Sequence, residues 1–370
     1  MPRWFNVAGP CNAADHYMLP AMRRLPKIRR LIDRKSYFVL HAPRQVGKTT
    51  ALLALGRELT AEGAYVGVLL SVEVGAAFPD GTDAAELAIL DAWRGDARAR
   101  LPAELQPPPW PDASPGRRIG AALAAWSLAA PRPLVIFVDE IDALRGPPLV
   151  SILRQLRGGY PNRPREFPWS LALVGLRDVR DYKLDLSIEG SHGGSPFNIK
   201  DTSLTLRNFT ADEVRELYAQ HSADTGQIFT DAAVARAFEL SGGHPWLVNA
   251  LAREATDELV EDRTLPITDA VIDAAKEILI RRQDTHLDNL AERLREPRVR
   301  RIIEPILAGE ALPAVPDDDL RYVQDLGLVR PENSGGLVIA NPIYREVIPR
   351  SLASVAIASP GGRRITVIRA

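Results

Sequence analysis

Apolar residues fall into two rhythms along the chain, and the change between them divides it. In the first half short apolar runs recur, Tyr37-Phe38-Val39-Leu40, Tyr65 to Val72, Leu134 to Val138 and Trp169 to Gly175, and Ser203 to Leu206 make a short last strand. Runs of this length without polar alternation predict strands buried on both faces, as in a parallel sheet covered by helices. Helical spacing lies between them. Leu25, Ile28, Leu31 and Ile32 share one face, with Arg23, Arg24, Lys27, Arg29 and Arg30 on the other, and further helices are predicted over 83–100 and 148–157. Pro102 through Pro115 predicts a stiff surface loop, with Pro107-Pro108-Pro109-Trp110-Pro111 as an alternative polyproline docking peptide.

From Thr210 onward the pattern turns helical. Thr210 with Glu213 spells a capping box ahead of Val214, Leu217 and Tyr218, and a second helix starts at Thr230 or Asp231. Gly242-Gly243 release the chain, and Pro245 opens the next helix at its first turn. Helices over 267–281 and 285–294 precede Pro297. Then 298–307, 316–326 and the short strands Leu328-Val329-Arg330 and Leu337 to Ala340, turning at Asn333-Ser334-Gly335-Gly336, spell a winged helix. The last stretch, Ser354 to Ala358 and Arg364 to Arg369 around Ser359-Pro360-Gly361-Gly362, alternates like a hairpin.

Size and charge narrow the picture. A chain of 370 residues, 46% hydrophobic, can bury a large core in two or three domains. Its 46 basic and 47 acidic side chains create no global field for nucleic acid or membrane, so any nucleic-acid contact must come from a local patch. The single cysteine, Cys11, cannot form an internal disulfide. With no membrane-length apolar run, and a start at Met1-Pro2-Arg3-Trp4-Phe5 unlike a signal peptide, a soluble cytoplasmic protein is expected.

The chemistry concentrates at two strand ends. After the first strand comes Ala42-Pro43-Arg44-Gln45-Val46-Gly47-Lys48-Thr49, and Thr50 leads into a helix. That is a phosphate-binding loop in its required strand–loop–helix context. Backbone N–H groups of the loop and helix N-terminus converge on phosphate, Lys48 adds a charge, and the Thr49 hydroxyl suits Mg²⁺. Ala42 stands where the first glycine usually does, a position that needs only a small side chain. The second centre is Leu134-Val135-Ile136-Phe137-Val138-Asp139-Glu140, an apolar strand with two carboxylates at its C-terminal edge, where open α/β sheets bind ligands. Asp139 is expected to hold Mg²⁺ directly or through water, and Glu140 to orient the attacking water. Adjacent strand residues point opposite ways, so the two would not share a job. Arg177, just past the next strand, is a candidate sensor of the γ-phosphate, ahead of Arg180 and Arg154. Tyr17 and Met18 read either as walls of an adenine pocket or as packing residues.

Together, Ala42 to Thr49, Asp139-Glu140, the helical region and Gly242-Gly243-His244-Pro245 resemble the STAND class of P-loop ATPases, nearest the bacterial AAA-like ATPases related to the archaeal ATPase families. Phe5-Asn6-Val7-Ala8-Gly9-Pro10, Asp15 to Pro20 and Gly175 to Tyr182 resemble the same group. The likeness implies an AAA+/STAND-like α/β core with a parallel sheet over 1–207 including an adenine-covering N-terminal segment, a helical lid over 208–295, a winged helix over 296–352 and a tail or hairpin over 353–370. It implies ATP and Mg²⁺ as ligands, Pro245 against adenine, slow hydrolysis, and a nucleotide-driven switch acting on a protein effector or nuclease-like domain, with nucleotide-dependent self-association. The residues supply no nuclease site and no clear arginine finger. A basic concentration, Arg281, Arg282, Arg293, Arg295, Arg298, Arg300 and Arg301, leaves DNA binding as the alternative role. Asp317-Asp318-Asp319 at the start of the second winged-helix segment weigh against it.

Overall fold

The computed structural model describes residues 3–177, 199–282, 292–332 and 335–358. Arg180, the glycine-bearing loop over 185–197, positions 285–291 of an expected helix and the strand over 364–369 lie outside them. Contacts divide the chain into two units: Pro20–Ala42 with Lys48–Arg207, and Met1–Leu19 with Pro43–Gly47 and Asn208–Ala370.

The first unit is built on a five-stranded parallel sheet. Its strands are β1 (Tyr37–His41), β2 (Val66–Ser71), β3 (Leu134–Asp139), β4 (Ser170–Gly175) and β5 (Thr202–Thr205), in the order β2-β3-β4-β1-β5. The runs of β1 to β4 are apolar because both faces of the sheet are covered, and every residue of β3 and β4 is buried. Around the sheet lie α1 (Ile28–Asp33), α2 (Lys48–Ala61), α3 (Thr82–Arg100), α4 (Arg118–Ala129) and α5 (Gly146–Gly159). The lead-in helix is only six residues long. Pro26 stands just ahead of it, and its ring disfavours helical backbone at Leu25. The loop over 102–115 is irregular apart from a 3₁₀ turn at Ala103–Leu105, and it is anchored by the Trp110 indole, which donates to the Leu90 carbonyl at 2.9 Å.

Buried Glu86 of α3 ties three helices of this unit together. Its carboxylate accepts from the Gly116 N–H at 2.9 Å, from the Ser151 hydroxyl at 3.3 Å and from the Gln155 amide. Gln155 in turn accepts from the Gly120 N–H at 2.9 Å, so the start of α4 is held from both sides.

The second unit is helical. It contains α6 (Ala211–Thr225), α7 (Asp231–Ser241), α8 (Pro245–Arg253), α9 (Asp269–Arg282), α10 (Pro297–Ala308), α11 (Asp317–Asp325), the antiparallel pair β6 (Val329–Pro331) and β7 (Leu337–Ile339), and α12 (Pro342–Ala358). The Thr210–Glu213 capping box forms in both directions, at 3.2 and 2.9 Å, and Thr230 caps α7 through the Ala233 N–H. Gly243, at φ +70°, lies so close to Phe209 that a Cβ there would meet the Phe209 carbonyl oxygen at 2.0 Å. Ser354 to Ala358, expected as a strand, instead prolong α12. Their apolar residues continue a helix already begun, and no turn separates them from it. The N-terminal segment packs in this unit: Phe5 and Tyr17 lie 4.8 Å apart, with Tyr218, His221 and Phe229 around Phe5.

Candidate functional site

The loop leaving β1 has the backbone that phosphate binding needs. Gln45 and Gly47 both take left-handed conformations, at φ +59° and +88°, within a turn that runs directly into α2 at Lys48. Such alternation turns successive N–H groups toward one point. Glycine adopts it without cost, whereas Gln45 carries strain of about 1–2 kcal/mol. Val46 is fully buried and anchors the loop, while Arg44 is exposed and Pro43 half-buried.

Sheet order then assembles the chemistry of the first unit. Strand β4 lies between β1 and β3, so the first turn of α2 faces the end of β3 across the end of β4. The Thr49 hydroxyl donates to Asp139 Oδ2 at 2.8 Å, and Lys48 Nζ folds back to the Ala42 carbonyl at 2.8 Å. Asp139 is only 4% exposed. Burial lifts its carboxyl above the ordinary aspartate range; the Thr49 hydroxyl, the Glu140 N–H and the Lys48 charge pull it back down, and Asp142 adds to the rise.

Glu140 is not the last residue of the strand. It stands just beyond β3 in a left-handed conformation, φ +57°, with its N–H donating to Asp139 Oδ1 at 3.0 Å. The two carboxylates are therefore separated by a backbone turn, and not by the strand alternation expected from their adjacency. A left-handed glutamate costs about 1–2 kcal/mol, the kind of strain that collects where a side chain must be aimed. Arg177 is 9% exposed immediately after β4, and Arg154 is exposed on α5.

Asp142 is a member of this cluster that motif spacing alone does not single out. Its Oδ1 accepts from the Leu176 N–H at 3.1 Å, which joins the turn after β3 to the end of β4. A third carboxylate shortly after Asp139 is the only signal for it in the sequence.

Thr49 and Asp139 offer the hard oxygen donors that Mg²⁺ takes, alongside phosphate oxygens and water. Among the described residues no group of three or more His, Cys, Asp or Glu side chains could hold a metal ion by itself.

Tyr17, Met18 and Pro245 belong to the second unit. The Tyr17 ring is 1% exposed, packed on Phe5 and His221 with the Arg3 guanidinium 5.1 Å from its centroid, and burial pushes its hydroxyl up to about 12. Met18 is half-buried, its backbone bridged by Gln220, which donates to the Met18 carbonyl at 2.8 Å. Pro245 opens α8 and is buried, its carbonyl accepting from Asn249 at 2.8 Å. No described helix is long and apolar enough to cross a membrane.

No protein-family model and no curated protein matches the chain. Solved structures do. The chain is similar to the Walker-type ATPase PABY2304 of Pyrococcus abyssi at 14% identity and a TM-score of 0.62, over 93% of this chain and 99% of that one. Weaker likenesses include the ORC2 protein of Aeropyrum pernix, 15% identical with a TM-score of 0.48 over 92% and 93% of the two chains. Another is the RuvB Holliday junction branch migration motor of Thermotoga maritima, 15% identical with a TM-score of 0.44 over 88% and 92%. The chain thus has an α/β fold on a five-stranded parallel sheet, similar to that of the Walker-type ATPase PABY2304.

Proposed function

We propose that the protein binds ATP with Mg²⁺ and hydrolyses it slowly, as a molecular switch of the STAND or AAA-like kind. The observation that carries this reading is the 2.8 Å bond between Thr49 and Asp139, which joins the end of the phosphate loop to the acidic end of β3. In this reading the loop N–H groups of Pro43 to Thr50 (Pro43 itself lacking one) and the Lys48 ammonium hold the phosphates, with Lys48 exchanging the Ala42 carbonyl for a phosphate oxygen. Thr49 and Asp139 would hold Mg²⁺, which would supply charge neutralisation at the phosphates. Glu140, aimed by its left-handed backbone, orients water in line with the γ-phosphate, and Arg177 senses that phosphate at the end of β4. Tyr17, Met18 and Pro245 meet the base.

The finer architecture is part of the proposal. Helices α6 to α9 serve as a lid, and α10, α11, the β6–β7 ribbon and α12 as a winged helix that controls a protein effector or a nuclease-like domain, with nucleotide-dependent self-association. Asp317, Asp318 and Asp319 form the first turn of α11, which would repel phosphates at the end that usually enters a DNA groove. A regulatory role for that element therefore fits better than base reading.

Phosphate release and nucleotide binding test the assignment together. Lys48→Ala should weaken ATP binding by about tenfold or more, the worth of a charge-assisted bond. Glu140→Gln should bind ATP like the parent and release almost no phosphate. Parent-like turnover in both variants would sink the assignment.

A further inference from the structure

At the opposite edge of the sheet from the phosphate loop, the parallel topology gathers positive charge. Residues 34–36 lead into β1 and residues 199–201 into its neighbour β5, so both segments arrive at the same N-terminal edge, where the Asp201 N–H donates to the Tyr37 carbonyl at 2.7 Å. The C-terminal turn of α5 and the segment after it reach that edge too. Between them is an open cavity of about 790 Å³ lined by Arg34, Lys35, Arg157, Arg163 and Lys200, against one acid, Asp201.

The cavity is built rather than incidental. Arg163 is fixed over the Tyr160 ring, 3.4 Å from its centroid, and over Tyr37 at 4.8 Å, and it also donates to the Lys35 carbonyl. Lys35 holds a left-handed backbone at φ +61°, an uncommon state for a side-chain-bearing residue, and its ammonium lies 4.6 Å from the Trp169 ring centroid. Asp201 is turned to the Ser36 hydroxyl, which donates to it at 2.6 Å. Arg34 and Arg157 are exposed and make no ion pair or side-chain hydrogen bond among the described residues. A basic residue in the last turn of α5 suits the helix dipole, which accounts for Arg157 and for none of the other four.

We propose that this cavity is a nucleic-acid contact that takes up backbone phosphates, a local basic patch in a chain without net positive charge. It lies at the opposite edge of the sheet from the phosphate loop, and it does not depend on ATP turnover. Three to four side chains can engage phosphates, since Arg163 and Lys200 are partly committed, Lys200 to the Ser203 hydroxyl at 2.9 Å. With about that many contacts, affinity for DNA should fall roughly 100-fold between about 50 and about 200 mM salt.

The test is fluorescence anisotropy of the full chain with labelled single- and double-stranded oligonucleotides over a salt series. Alongside it run Arg34→Gln with Arg157→Gln, and Arg330→Gln with Arg321→Gln as a control pair in the other unit. The inference expects salt-dependent binding whose log–log slope drops by about 2 in the first pair only, with phosphate release and melting temperature as in the parent. Absence of oligonucleotide binding at low salt overturns it, as does binding lost only in the control pair. So does competition by inorganic tripolyphosphate that proves as tight as the oligonucleotide, which would make the cavity a small-anion site.

Discussion

Gly243→Ala separates the structural role of the Gly-Gly-His-Pro turn from its proposed role at a nucleotide. Three costs follow from the geometry. The left-handed backbone at φ +70° costs an alanine about 1–2 kcal/mol. A Cβ 2.0 Å from the Phe209 oxygen, and 3.2 Å from the Phe238 ring, forces backbone to move in a packed region, about 1–3 kcal/mol. That movement stretches the bond from the Phe209 N–H to the Gly243 carbonyl, now 2.9 Å, for a further loss of about 0.5–1.5 kcal/mol. The sum is about 2.5–6.5 kcal/mol. Gly226 provides the control, since it is also left-handed, at φ +80°, but a Cβ added to it would meet nothing within 4 Å, so Gly226→Ala should cost only about 1–2 kcal/mol. Urea unfolding followed by circular dichroism reads both variants. A Gly243→Ala loss within about 1 kcal/mol of the Gly226→Ala loss would refute the close-approach argument. If affinity for ATP then fell as well, the glycine would be there for the ligand rather than for the turn.

Burial, the largest influence, holds the His221 imidazole below its ordinary value of 6.5; Gln227, at 3.0 Å, and the charges of Asp257 and Asp224 act against it, and Arg263 acts with it. The unfolded chain therefore takes up a proton first, and stability should decline as pH drops through about 6.5. His221→Gln should flatten that decline in unfolding measured between about pH 7 and pH 5, and an unchanged slope would exclude His221 as its source. Glu86→Leu removes the acceptor of the Gly116 N–H and of Ser151 and Gln155 and should cost about 2–4 kcal/mol, whereas Glu86→Gln, which keeps an acceptor, should cost less. Equal losses in the two variants would show that the acceptor is not what holds α4.

The strands are legible in the sequence because burial on both faces removes polar residues from them, as at Leu134 to Val138. The first turn of α2 and the end of β3 are legible for a different reason. A phosphate loop and an acidic strand end each demand particular residue types at fixed places. Helix α4 has no such signal. Gly120-Ala121-Ala122-Leu123-Ala124-Ala125 puts small residues on every face, and without a polar stripe there is no period to see. Glu86 is equally hidden, since a buried carboxylate is defined by partners on α5 and ahead of α4, which sequence spacing does not bring together. The left-handed turn at Glu140 likewise has no signature, because any residue can be forced there when the surrounding structure holds it.

The order of the sheet also sets a timetable for synthesis. Strand β1, which carries the phosphate loop, pairs only with β4 and β5, both well over a hundred residues further along the chain. At ~5–20 residues per second, β1 would wait on the order of 10 s after leaving the ribosome before either partner exists. During that interval Tyr37 to Leu40, wholly buried in the finished protein, have two open edges and two uncovered faces. The nascent chain is thus most exposed to aggregation, and most in need of a chaperone, at the very segment on which nucleotide binding later depends.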